Sequence, residues 1–69
     1  MDIRRRLGIN VKRLRLEKGW SQEELAFEAG LHRTYISGIE RGVRNPTVTI
    51  IDKLANTLGA NPHELLEEI

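Results

Sequence analysis

The sequence predicts an all-α fold, five short helices in a single domain, and three observations carry that expectation. Apolar residues recur at helical spacing in successive runs along the chain. No run shows the period-two alternation of a half-buried strand. Ser21, Thr47 and Asn61 stand as caps before such runs, and Gly19, Gly30, Gly42 and Gly59 stand as stops after them.

Each element follows from its own signals. Ile3, Leu7, Val11 and Leu14 form one stripe and Gly19 follows Lys18 as a terminator, which predicts a first helix over about residues 3 to 18. Ser21 precedes Glu24 by three residues, the spacing of a reciprocal capping box, and Trp20 and Leu25 flank it as a hydrophobic staple. A second helix therefore starts at Gln22, and Gly30 ends it after Ala29. The third run, Arg33 to Arg41, sets Ile36 and Ile39 on one side and Thr34, Ser37, Gly38 and Arg41 on the other. Gly42 stops it, and Val43-Arg44-Asn45-Pro46 reads as a loop. Thr47 caps a fourth helix with Val48, Ile51, Leu54, Ala55 and Leu58 inward, closed by Gly59. Asn61 caps a fifth, with Pro62 at its first position, Glu64 three residues on, and Leu65, Leu66 and Ile69 along it.

Composition bounds the function. At 69 residues the chain forms one domain, residues 1–69, with no room for a separate sensor or catalytic domain. Hydrophobic residues at 39% and charged residues at 30% place it in the globular class. The absence of cysteine excludes disulfides and Cys-ligated zinc, and His32 and His63 lie too far apart for a local metal motif, so neither metal nor cofactor is expected. No run approaches the roughly 18 apolar residues of a membrane span, and Met1-Asp2-Ile3-Arg4 lacks the apolar stretch of a signal peptide; a cytoplasmic location without membrane association follows. The inventory does not suit an enzyme: it holds no cysteine nucleophile, no glycine-rich phosphate loop, and no Ser-His-Asp or paired-carboxylate set in a pocket context.

Net charge is only +1, yet it is unevenly spread. Arg4, Arg5, Arg6, Lys12, Arg13, Arg15 and Lys18 face only Asp2 and Glu17 in the first eighteen residues, whereas the last six hold Glu64, Glu67 and Glu68 and no cation. Such a basic run suits either an approach to phosphates or a plainly solvated helix face.

The informative unit is the helix pair around Gly30, Ser-Gln-Glu-Glu-Leu-Ala-Phe-Glu-Ala-Gly-Leu-His-Arg-Thr-Tyr-Ile-Ser-Gly-Ile-Glu-Arg-Gly, residues 21 to 42. Ala26 lets the two helices cross closely, Gly30 makes the tight turn, and Leu25, Leu31, Ile36 and Ile39 supply a shared core. This is a helix-turn-helix over about residues 22–41, with the third helix projecting where the major groove of DNA could receive it.

These residues resemble the lambda-repressor/Cro-like family, the xenobiotic-response-element type of helix-turn-helix protein. The likeness continues through Leu7, Val11, Leu14 and Arg15 before the motif, and through Asn-Pro-Thr-Val, Leu-Ala-Asn-Thr-Leu-Gly and Pro-His-Glu-Leu-Leu after it, from about residue 4 to residue 67. The resemblance implies a DNA-binding transcriptional regulator, chiefly a repressor, whose third helix reads operator half-sites. By it, His32, Arg33, Thr34, Ser37 and Gly38 lie where base edges are read. Arg33 leads, because a guanidinium can donate two parallel hydrogen bonds to guanine, though an exposed arginine touching only phosphate fits the same position. His32 departs from the commoner Ser or Thr at the cap, and Gly38 brings no side chain to read with. Gln22, Tyr35, Arg41, Arg44 and Asn45 lie where phosphates are held, each equally compatible with solvated surface.

By the same resemblance Arg15 and Glu40 form a structural ion pair. Reading a two-fold operator implies a homodimer with half-sites about 34 Å apart, for which Leu66, Ile69 and Ile50 are the candidate interface. Three roles remain beside the operator-binding repressor. An antitoxin with a toxin partner and a restriction-modification controller share the fold, and a protein-interaction module would use the third helix on another protein instead.

Overall fold

In the computed structural model, which describes residues 1–69, the order is α1 (Ile3–Glu17), α2 (Gln22–Ala29), α3 (Arg33–Glu40), α4 (Val48–Leu58) and a closing 3-10 helix (Pro62–Leu66). Local chemistry explains each boundary. The Asp2 carboxylate caps α1 by accepting the Arg4 backbone N–H at 2.7 Å, and it also receives the Arg4 guanidinium at 3.0 Å. Its pKa falls to about 2, first through the Arg4 side-chain hydrogen bond and then through the backbone one. At α2 the capping box is complete: Ser21 Oγ accepts from the Glu24 N–H at 3.0 Å, and the Glu24 carboxylate accepts from the Ser21 N–H at 3.3 Å. Gly30 ends α2 in the left-handed region at φ 68°, which lets the Leu31 N–H return to the Ala26 carbonyl at 2.8 Å. Thr47 Oγ1 caps α4 by accepting from the Ile50 N–H.

The helices enclose one core. Leu7 and Val11 of α1, Leu25, Ala26 and Ala29 of α2, Ile36 and Ile39 of α3, Leu54, Ala55 and Leu58 of α4, and Leu65 of the closing helix are all buried. Each fully buried Leu or Ile contributes about 1.5–3 kcal/mol. A 69-residue domain keeps a net stability of only about 3–10 kcal/mol, so any one of these is a large share of it. The helix-turn-helix pair is held from behind by α1, which packs on α3, and from the side by α4, which packs on α2. Gly8 makes the first contact possible: a Cβ there would stand 2.3 Å from the Ile39 carbonyl oxygen and 2.7 Å from that of Glu40.

The closing segment and the outer ends of two apolar stripes differ from expectation. The fold has four α-helices, not five, because the last segment is a single 3-10 stretch of five residues. Its bonding is i to i+3, the Glu64 N–H donating to the Asn61 carbonyl at 2.9 Å. Buried Asn10 of α1 then donates its Nδ2 to the carbonyls of both Leu65 and Glu67, and the backbone turns extended at Glu67. Ile69 consequently lies outside the helix and is exposed. Val48, placed inward by its spacing, is 83% exposed: it is the first residue of α4, and the stripe begins before the core does. Ile3 is half exposed at the start of α1 for the same reason.

Candidate nucleic-acid interface

The candidate interface is built on α3, whose two sides differ sharply. Ile36 and Ile39 are fully buried and fix the helix to the core. The start of the helix faces outward, with His32, Arg33 and Thr34 exposed in succession and Ser37 part-exposed one turn on. His32 holds the N-cap backbone conformation, φ −80° and ψ 145°, but its side chain makes no cap hydrogen bond. The free N–H groups of that first turn and the adjoining Arg33 guanidinium therefore present donors to the same open surface.

The other end of α3 is locked. Arg15 Nε donates to Glu40 Oε2 at 2.7 Å and its Nη2 donates to Glu40 Oε1 at 3.0 Å, a two-pronged ion pair that lies almost wholly out of solvent. The third arginine donor, Nη1, reaches the Trp20 carbonyl at 2.8 Å, just before α2 begins. Glu40 holds the Arg15 guanidinium above its ordinary pKa through these hydrogen bonds, with burial opposing. Gln22, expected at a phosphate, also donates its Nε2 to Glu40 Oε1 at 3.1 Å. Its amide is thus anchored between the start of α2 and the end of α3.

The other predicted residues fall into separate groups. His32, Thr34, Tyr35 and Arg44 surround one shallow depression, with Leu31 and Ile50 beneath. Arg44 and Asn45 are exposed, and the Arg44 guanidinium lies 5.4 Å from the centre of the Tyr35 ring. Gly38 is not on the open surface; it is buried, and the Arg44 side chain runs across it. Arg41 stands apart, beside a wider trough shared with Arg5, Lys12 and Arg13. Leu66 lines a groove between α4 and the closing helix with Val48, Ile51 and Pro62. Ile50 faces the α3 side and Ile69 sits near Met1 and Arg6, so the three candidate interface residues do not share one patch.

Sequence reasoning missed two supports of this site. Gly8 permits the close passage of α3 over α1, and its signal was a glycine inside a strongly helical run. Asn10 clasps the end of the chain, and its signal was a polar residue three after Leu7 and four before Leu14, on the apolar side.

The helix-turn-helix family model (HTH_3) matches residues 11–65. The chain belongs to that family. This helix-turn-helix protein is 51% identical over 67 residues to the control protein C.BamHI of Bacillus amyloliquefaciens, covering 96% of this chain and 83% of that one. Among solved structures it is similar to the restriction-modification controller C.AhdI of Aeromonas hydrophila, with 47% identity, a TM-score of 0.86, and coverage of 90% of this chain and 94% of the other. It is also similar to the hypothetical transcription factor NHTF from Neisseria, with 45% identity, a TM-score of 0.93, and coverage of 96% and 76%. It is a DNA-binding regulator of transcription of the lambda-repressor-like type. None of its helices is long and apolar enough to cross a membrane.

Proposed function

We propose that the protein acts as a cytoplasmic, non-catalytic operator-binding regulator, a homodimer that places α3 of each copy in the major groove of one half-site. The observation that carries this reading is the run His32-Arg33-Thr34, three successive exposed side chains on a helix whose opposite side is wholly buried. Arg33 reads guanine through O6 and N7, and Thr34 contacts the neighbouring base. Gln22, Tyr35, Arg41 and Asn45 set the register on the phosphates, and Gln22 brings an amide already fixed by Glu40. The groove at Leu66, with exposed Val48 beside it, supplies apolar surface for the two-fold contact.

Of the related roles, the restriction-modification controller is favoured by similarity: identity is 51% to C.BamHI and 47% to C.AhdI, against 40% to the regulator SinR of Bacillus subtilis. The test is fluorescence anisotropy on the DNA upstream of its own gene against a scrambled duplex, at two salt concentrations, with Arg33→Ala alongside. Specific binding that weakens with salt and loses its sequence preference in the variant supports the reading. Equal affinity for both duplexes in the native protein points instead to a protein partner, a toxin among them.

A further inference from the structure

Gly38 occupies a place on α3 where a reading side chain would be expected, one helical turn after Thr34. The space is not empty. A Cβ at Gly38 would stand 2.6 Å from Arg44 Cγ, 3.1 Å from its Nε and 3.4 Å from its Cδ. The stem of Arg44 therefore lies where the side chain of residue 38 would be.

The backbone brings it there. Gly42 takes φ 75°, and the chain folds back so that the N–H groups of Val43 and Arg44 both donate to the Gly38 carbonyl, at 3.0 and 3.3 Å. The guanidinium then meets the ring of Tyr35, which is itself part-buried and packed against the core. Arg44 is held at two points, its stem over Gly38 and its head over Tyr35, on the Thr34 side of α3.

We propose that Gly38 is a positioning residue for DNA recognition: by having no side chain it seats Arg44 along α3, so that Arg44 fills the reading position residue 38 leaves vacant. This rests on the operator-reading role proposed above. A freely rotating arginine on a loop reaches any nearby phosphate, whereas one laid along the helix offers its paired N–H donors to a guanine edge in fixed register. Part of the ordering cost is met before DNA arrives. The specificity that Arg44 adds to that of Arg33 then lies in a pair of positions, 38 and 44, neither of which supplies it alone.

The test is selection of preferred sites from a randomised duplex pool by the native protein, Gly38→Ala, Arg44→Ala and the double variant. It is accompanied by NMR shifts of the Arg44 side-chain protons, which the Tyr35 ring current displaces. Alanine favours helix over glycine, so Gly38→Ala is expected to fold. The expected result is that Gly38→Ala and Arg44→Ala lose the same base preference, each by about tenfold or more. The double variant should then be no worse than Arg44→Ala, and Gly38→Ala should remove the ring-current shift. An unchanged site preference in Gly38→Ala overturns the proposal. So does a uniform loss across all sequences in Arg44→Ala, which makes it a phosphate contact, or a ring-current shift that survives in Gly38→Ala. If the native protein selects no sequence at all, the operator-reading role fails as well. Selection that depends on Arg33 but ignores Gly38 removes this inference alone.

Discussion

The two ends of α3 are built on opposite terms. At its C-terminal end the Glu40 side chain lies nearly out of solvent and receives three donors from two other helices, Arg15 twice and Gln22 once. At its N-terminal end His32, Arg33 and Thr34 are exposed, and the cap makes no side-chain hydrogen bond at all. One end fixes the helix in space, and the other leaves its chemistry unspent. The difference teaches how so small a domain can present a stiff recognition element: rigidity comes from behind and from the far end, so the reading end need carry no structural duty.

The largest effect should come from breaking the fixed end. Glu40→Ala leaves Arg15 nearly buried without its carboxylate and frees Gln22, and it should cost about 3–5 kcal/mol. That is most of the stability a 69-residue domain has. Urea unfolding followed by fluorescence of Trp20, the single tryptophan, measures it directly. A loss below about 1 kcal/mol would place the pair among exposed salt bridges and remove the contrast. Gly8→Ala should come next, at about 1–3 kcal/mol, because its new methyl meets the backbone carbonyls of Ile39 and Glu40 and not a movable side chain. The same unfolding curve tests it, and an unchanged midpoint would mean that the α1–α3 contact yields to a methyl group without cost.

The open end should respond in the other currency. Arg33→Ala should leave the unfolding midpoint within about 0.5 kcal/mol, since an exposed side chain with no partner contributes little to the fold. It should reduce discrimination between operator and scrambled DNA by about 1–3 kcal/mol in anisotropy titrations. Marked destabilisation would show that the reading face is also a structural one.

Legibility followed the same division. The capping box at Ser21, the left-handed Gly30, the Thr47 cap and the buried positions Leu25, Ile36 and Ile39 were all readable, since each depends on neighbours within one or two helical turns. The Arg15–Glu40 pair was readable through family resemblance alone, because 25 residues separate the partners. What escaped depended on contacts across the chain. The end of the fifth segment is decided by Asn10, 55 residues from Leu65, which binds carbonyls that a longer helix would have used. Gly38 looked like a bare spot on a reading face, and only the fold-back of residues 42–44 covers it with Arg44. Val48 and Ile3 satisfy the helical spacing yet lie exposed, because periodicity gives the direction of a stripe and not the edge of the core.

The smallest effect bears on why the open end is left uncapped. His32 already has the extended backbone of an N-cap, so His32→Ser asks for no rearrangement and adds a hydroxyl that can accept from the first turn of α3. It should raise stability by about 1 kcal/mol, equivalent to roughly 4–8 °C in Tm for a domain of this size. Ser21→Ala, which removes a cap that α2 does have, should lower stability by a similar amount. The DNA consequence separates two accounts of the histidine. If the free N–H groups at the start of α3 serve a phosphate, the stabilised His32→Ser protein should bind operator less tightly than the native one, because the new hydroxyl competes for them. If affinity holds while stability rises, the uncapped start is only a tolerated cost, and the contrast between the two ends of α3 reduces to side-chain exposure.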